Sequence, residues 1–150
     1  MELLIKKLDD RARVPQAATG GSAGMDLCAV LDEPLTLAPG QRAMVSTGLA
    51  IALPSSDLVA LIFARSGLAV KHGITLSNCV GVVDSDYRGE VKVGLINQSD
   101  KPYEIAPGER IAQMVIMPVV MAEPKVVDSL PESERGAGGF GSTGRGVESK

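Results

Sequence analysis

The sequence contains no Trp, two Phe, two Tyr, one His and two Cys among 150 residues. With so few rings, a core has to be packed from small and branched side chains. His72, Cys28 and Cys79 cannot complete a four-ligand zinc site without recruiting carboxylates. The cysteines stand 51 positions apart with no CxxC spacing, so no structural disulfide is expected. A basic excess is also missing: 15 Lys and Arg against 18 Asp and Glu leave a net charge of −3. That balance argues against a protein that tracks a nucleic-acid backbone. No apolar run approaches membrane-spanning length, and the first 20 residues hold no apolar segment with a cleavage site. The expectation is a soluble, cytoplasmic protein with neither a membrane nor a nucleic-acid partner.

What the sequence does contain is 16 Val, 8 Ile, 17 Gly and 9 Pro, with 45% apolar residues in all. Branched side chains suit a pleated, half-buried surface, and Gly and Pro suit frequent turns. At this length one domain is expected. Short apolar runs recur between turn signals: Leu3–Ile5, Met25–Val30, Ala43–Leu53, Leu58–Phe63, Gly81–Val83, Val91–Ile96 and Ile111–Val120. Most are too short for a helical period and read as strands. Leu37-Ala-Pro-Gly-Gln-Arg42 is echoed by Ile105-Ala-Pro-Gly-Glu-Arg110, and each Pro-Gly fits a type II turn. These read as two similar hairpin entries in one sheet system. A single short helix fits Ser66–His72, with Ser66 as N-cap and Gly73 as its stop. Met114, Met117 and Met121 alternate with Val and Ile and read as core. The predicted fold is all-β, a jelly-roll-like sandwich or barrel with one short helix and a flexible C-terminal tail. Composition shifts after Pro124, which predicts a core over 1–124 and an arm over 125–150. Within the arm, RGAGGFGSTGRG from Arg135 to Gly146 is half glycine and has almost no apolar area to offset its ordering cost.

Several segments could carry chemistry. Val80 to Val83 would take the chain through the core and deliver Asp84 at its end, where a carboxylate can act as general base on water. The same Asp-Ser-Asp-Tyr-Arg-Gly stretch is also ordinary turn composition, with Asp86 suited to an ion pair with Arg88 or Lys92. Arg65, Ser66 and Gly67 at a helix start suit a phosphate, or simply a capped helix with a solvated Arg. Gly139–Arg145 approaches a phosphate-loop pattern but has Arg for Lys, Gly146 for Ser/Thr, and no flanking strand and helix, so a Walker loop is rejected. Its glycines, with Arg135, Ser142, Thr143 and Arg145, still suit a polyphosphate, and Phe140 could stack on a base. Asp26 could hold water on a metal or sit in a turn. Asn78 and Gln113 could read a nucleobase or phosphate, or satisfy backbone groups.

Taken in order, five segments resemble the motifs of the homotrimeric deoxyuridine triphosphatases, or dUTPases, over nearly the whole chain. They are Ala23–Ala29 (AGMDLCA), Arg65–Ala69 (RSGLA), Gly81–Glu90 (GVVDSDYRGE), Gly108–Gln113 (GERIAQ) and Arg135–Gly144 (RGAGGFGSTG). The resemblance implies a jelly-roll-like barrel, a trimer whose subunits share each site, and hydrolysis of dUTP to dUMP and pyrophosphate with Mg²⁺. Such an activity limits dUTP and supplies dUMP for thymidylate synthesis. It implies Asp84 as the base for the attacking water and Tyr87 against the deoxyribose. Asn78 with the backbone of Val82 and Val83 would read uracil. Arg65, Ser66, Gly67 and Gln113 would hold phosphates, Lys92 would line the site, and Asp26 would orient waters on the metal. Arg135, Ser142 and Thr143 would close over the terminal phosphate while Phe140 covers the base, making 135–144 a lid. Met25 falls at a variable position, and Val83 stands where Ile is common. A dCTP deaminase shares the fold but needs a pocket Glu, for which Glu90 is misplaced. A non-catalytic nucleotide-binding or capsid-like module would not be expected to keep Asp84, Tyr87 and the tail.

Overall fold

The computed structural model describes residues 1–139. Ten strands and one helix follow in order: β1 (Leu4–Lys7), β2 (Met25–Cys28), β3 (Leu35–Leu37), β4 (Arg42–Ala52), β5 (Leu58–Phe63), α1 (Ser66–His72), β6 (Ile74–Leu76), β7 (Gly81–Val83), β8 (Glu90–Asn97), β9 (Tyr103–Ile105) and β10 (Arg110–Pro118). They form two four-stranded sheets, β1-β4-β8-β6 and β2-β10-β5-β7, and a small sheet β3-β9. Every strand pairing is antiparallel. This is the expected all-β, jelly-roll-like sandwich. Among the described residues no helix is long and apolar enough to cross a membrane.

Alternation along each strand decides what enters the space between the sheets. In β8, Val91, Val93, Leu95 and Asn97 are buried, whereas Glu90, Lys92, Gly94 and Ile96 lie toward the surface. Val45, Leu49, Ile62, Leu27 and Met114 meet them in one continuous cluster. Strand β4 breaks its alternation at a register shift between Ser46 and Ala50. Gly48 sits in that bulge at φ 66°, where an added Cβ would lie 2.9 Å from Ala12 Cβ. Buried Asn97 uses its whole amide: Nδ2 donates to Leu37 O (2.8 Å) and Lys101 O (2.7 Å), and Oδ1 accepts from Ser99 N and Oγ. A buried amide so satisfied ties the end of β8 to β3.

The two Pro-Gly turns have the same geometry. Gly40 and Gly108 have φ 75° and 76°. Gln41 N donates to Ala38 O (3.0 Å) and Glu109 N to Ala106 O (3.1 Å), closing type II turns. The residue after each glycine also accepts the alanine N–H, Gln41 Oε1 from Ala38 and Glu109 Oε2 from Ala106, both at 2.9 Å. Neither turn closes a hairpin, however. Strands β3 and β9 pair with each other, and each turn passes the chain into a different large sheet.

Helix α1 spans the predicted residues and stops at Gly73 in the left-handed region, φ 68°. Its N-cap is Arg65 rather than Ser66, with no side-chain capping bond; Ser66 is the first helical residue. Met114 is buried as expected, but Met117 and Met121 are 42% and 77% exposed. Met117, paired with Val59 of β5, lies an odd number of residues from Met114 and so points to the opposite face, and Met121 lies beyond the strand. After Val119, whose N–H reaches Asp57 O (2.7 Å), residues 120–138 are exposed throughout.

Candidate active site

Strands β7 and β8 are consecutive but belong to opposite sheets, so the chain splays apart at the loop between them. A cavity of about 500 Å³ opens there, lined by Met44, Ile62, Leu76, Asn78, Gly81–Asp84, Tyr87 and Glu90–Gly94. Buried Ile62, Leu76, Val91 and Val93 line it together with exposed Met44, Val82, Asp84 and Lys92, and its size suits a nucleoside. Asp84 stands at the rim, one residue past β7. Its carbonyl accepts Tyr87 N–H (3.2 Å), and Arg88 Nη1 donates to Ser85 O (2.8 Å) and Tyr87 O (2.9 Å). These bonds give the 84–89 loop a defined shape. Asp86 forms no ion pair among the described residues; Lys92 instead meets Glu90 Oε2 at 3.5 Å. Glu90 Oε1 accepts Gly48 N–H (2.9 Å), so this carboxylate is engaged from two sides.

Asn78 reaches the cavity from a tight three-residue turn in which Val80 N donates to Asn78 O (2.7 Å). The central residue, Cys79, has φ 64°. A non-glycine residue held there costs on the order of 1–3 kcal/mol, a strain that tends to collect at binding sites. Nothing in the sequence signals this turn. Both cysteines are free; burial pushes the Cys28 thiol above its ordinary range.

A second cavity, of about 420 Å³, is lined by Ser22, Gly24, Asp26, Phe63, Arg65, Ser66, Gly67, Arg110 and Gln113 among others. Gln113 is opposite Asp26 on one side and Phe63 on the other, so the three share one face of the β2-β10-β5 sheet. Arg65 Nε donates to Asp26 Oδ1 (2.8 Å) and Arg110 Nη1 to Oδ2 (2.9 Å). Two guanidiniums against one carboxylate leave a local positive charge. Gln113 Nε2 donates to Ala64 O (3.0 Å), with its Oε1 against the Cα of Gly24. Ser66 and Gly67 add first-turn N–H groups without helical partners. The arrangement suits oxyanions. Arg110, three positions before Gln113 in the fourth segment, joins this cavity through Asp26, a placement that its sequence position alone does not show.

The two cavities share no lining residue. Ile62, turned into the core, lines the first, and Phe63, the next residue along β5, lines the second. One chain therefore gathers Asn78, Val82, Val83, Asp84, Tyr87 and Lys92 at one place and Asp26, Arg65, Ser66, Gly67 and Gln113 at another. Arg135 lies apart from both, its Nε bonded to Gly138 O (2.7 Å). Phe140, Ser142 and Thr143 lie outside the described residues. Among those described, no three His, Cys, Asp or Glu side chains gather to hold a metal.

Comparison with known proteins bears on this geometry. The dUTPase family model matches residues 10–144. The chain is 55% identical over 147 residues to the deoxyuridine 5'-triphosphate nucleotidohydrolase of Burkholderia multivorans, covering 97% of this chain and 99% of that protein. The Paraburkholderia xenovorans protein of the same name is 54% identical over 147 residues. Among solved structures, the dUTPase of Staphylococcus bacteriophage 80alpha with dUPNHPP superposes with a TM-score of 0.86 at 30% identity, covering 96% of this chain and 99% of that one. With the match running through all five segments, the chain belongs to the dUTPase family.

Proposed function

We propose that the protein hydrolyses dUTP to dUMP and pyrophosphate as a homotrimer with shared sites. The observation that carries the reading is Asp84, held at the rim of a nucleoside-sized cavity by a bonded loop. In this reading Asn78 and the backbone of Val82 and Val83 meet the uracil edge, and Tyr87 lies against the deoxyribose. Asp84 orients a water on the α-phosphorus and takes its proton. The new P–O bond forms as the bond to the bridging oxygen breaks, and pyrophosphate leaves. Arg65, Ser66, Gly67 and Gln113 bind the phosphates, with Lys92 beside the reacting centre.

In this reading a second copy of the chain completes each site, because the phosphate-type groups and Asp84 line separate cavities of one subunit. Three copies in a ring let each lend its oxyanion cavity to a neighbour's nucleoside cavity. The fit of Mg²⁺ follows from the donor set. Both oxygens of Asp26 already accept from guanidiniums, and among the described residues lining this cavity it is the one acid, so the pocket is no cage for a bare cation. It suits an ion delivered on the triphosphate, with Asp26 accepting from metal-bound water through its remaining lone pairs. Mg²⁺ supplies charge neutralisation on the phosphates. The core is 1–124 and the arm 125–150, a division supported by the exposure of every residue from 120 to 138. Arg135, Phe140, Ser142 and Thr143 serve as a lid over the bound nucleotide, excluding bulk water during attack. Such an enzyme works in the cytoplasm, where its substrate and the consumers of dUMP are found.

Pyrophosphate release from dUTP, dTTP, dCTP and UTP, with and without EDTA, tests the reading. Release from dUTP alone, abolished by EDTA, is the expected outcome; ammonia release from dCTP would overturn it. Asp84→Asn should bind dUTP yet turn over on the order of 10²-fold or more slower, and full turnover would remove Asp84 from the mechanism.

A further inference from the structure

Gly89 is not among the glycines with positive φ, so its backbone conformation is open to any residue. What it lacks room for is a side chain. A Cβ placed there would lie 2.6 Å from Tyr87 Cζ and 3.0 Å from Cε2, with the hydroxyl closer still. The end of the Tyr87 ring therefore rests directly on the bare Cα of residue 89. Its hydroxyl donates to Glu90 O at 3.0 Å. Tyr87 is 45% exposed, so core packing does not hold it. Gly89 below the ring and the Glu90 carbonyl at its tip are what orient it.

We propose that Gly89 and the Glu90 carbonyl form a seat that fixes the Tyr87 ring at the cavity rim, and that this seat sets discrimination between 2′-deoxy and 2′-hydroxy sugars. The inference rests on the reading of this cavity as the deoxyuridine pocket. A side chain excludes one added oxygen only if it cannot move aside. A half-exposed tyrosine on a free rotamer would yield, whereas one seated on glycine and tied at its hydroxyl presents a fixed wall. Gly89 is thus a positioning residue acting through Tyr87. Because the clash in Gly89→Ala falls on the far end of a swinging side chain, the ring should move and the fold should remain.

The test measures kcat and KM for dUTP and UTP in the full-length enzyme and in Gly89→Ala, Tyr87→Phe and Tyr87→Ala, with a melting temperature for each. Gly89→Ala should lower the dUTP-to-UTP ratio of kcat/KM roughly tenfold or more, mainly through a smaller KM for UTP, at a nearly unchanged melting temperature. Tyr87→Phe keeps the ring on Gly89 but loses the tie to Glu90, and should lie between wild type and Tyr87→Ala. An unchanged ratio in Gly89→Ala and Tyr87→Phe, with the ratio lost in Tyr87→Ala, overturns the seat while leaving Tyr87 its role. An unchanged ratio in Tyr87→Ala as well overturns both the seat and the sugar contact. A wild-type enzyme that does not cleave dUTP overturns the functional reading beneath them.

Discussion

Tyr103 joins three parts of the molecule through one side chain. Its ring packs on His72 at the end of α1, with centroids 4.9 Å apart, and its hydroxyl donates to Glu109 Oε1 at 2.6 Å. Glu109 in turn accepts Ala106 N–H inside the second Pro-Gly turn. Burial first, and then the Glu109 carboxylate, push the phenol up from 10.0 to about 12. Below pH 10 the phenol is neutral in both folded and unfolded chains, and its stabilisation is complete. As pH climbs toward 12 the unfolded chain ionises first, so that stabilisation is lost. Tyr103→Phe should cost about 1–2 kcal/mol near neutral pH. Its deficit relative to wild type should shrink as pH rises from about 10 to about 12. Urea unfolding across that range measures it, and a constant deficit would refute the coupling. A sequence shows two tyrosines but not that one meets a carboxylate six positions away; that pairing depends on the turn. Asp26 is similar: sequence marks an acid beside a glycine, and only the antiparallel register of β2 with β10 sets Arg110 against it.

At the scale of elements, local chemistry is most legible where the backbone itself imposes a demand. The Pro-Gly turns and the stop of α1 at Gly73 could be read directly, because a positive φ favours glycine and these positions carry one; Cys79, at φ 64° without being glycine, could not. Space around such a glycine could not be read. Gly40 has nothing within 4 Å of an added Cβ, whereas at Gly73 the same atom would lie 2.7 Å from the backbone nitrogen of Ser99. Gly40→Ala should therefore cost about 1–2 kcal/mol, the left-handed strain alone. Gly73→Ala should cost distinctly more, since Ser99 N belongs to backbone that cannot swing aside. Chemical denaturation of the pair measures this, and equal losses would show that the loop at Ser99 yields. Strands β3, β6 and β9 are each three residues long, too short for an alternation to be seen. Met117 and Met121 show the converse limit. Met117 lies three residues from buried Met114, so in a strand it points to the opposite face, and Met121 lies beyond the strand's end.

The whole molecule has two chemically distinct cavities with no lining residue in common, and the proposed sharing of sites between subunits makes a definite demand. In the proposed shared-site trimer, Asp84→Asn damages one cavity and Gln113→Ala the other, so each variant alone should be weakly active. Unfolding the two together and refolding them as a mixture should restore part of the wild-type turnover, because some sites in mixed trimers combine an intact Asp84 with a neighbour's intact Gln113. Activity no higher than the mean of the separate variants would mean that each subunit completes its own site.

The sequence by itself determined the all-β class, the glycine-bearing turns, the helix stop and the chemical type of each site segment. These depend on alternation, on backbone conformation and on side-chain identity, all of which are local. Only the tertiary structure decided that β7 and β8 part into opposite sheets to open a cavity. The same is true of Ile62 and Phe63 facing different cavities, and of Tyr87 resting on Gly89. A run of alternating residues says which side chains share a face. Which sheet a strand joins, and what waits on that face, depends on pairing with strands distant in the chain.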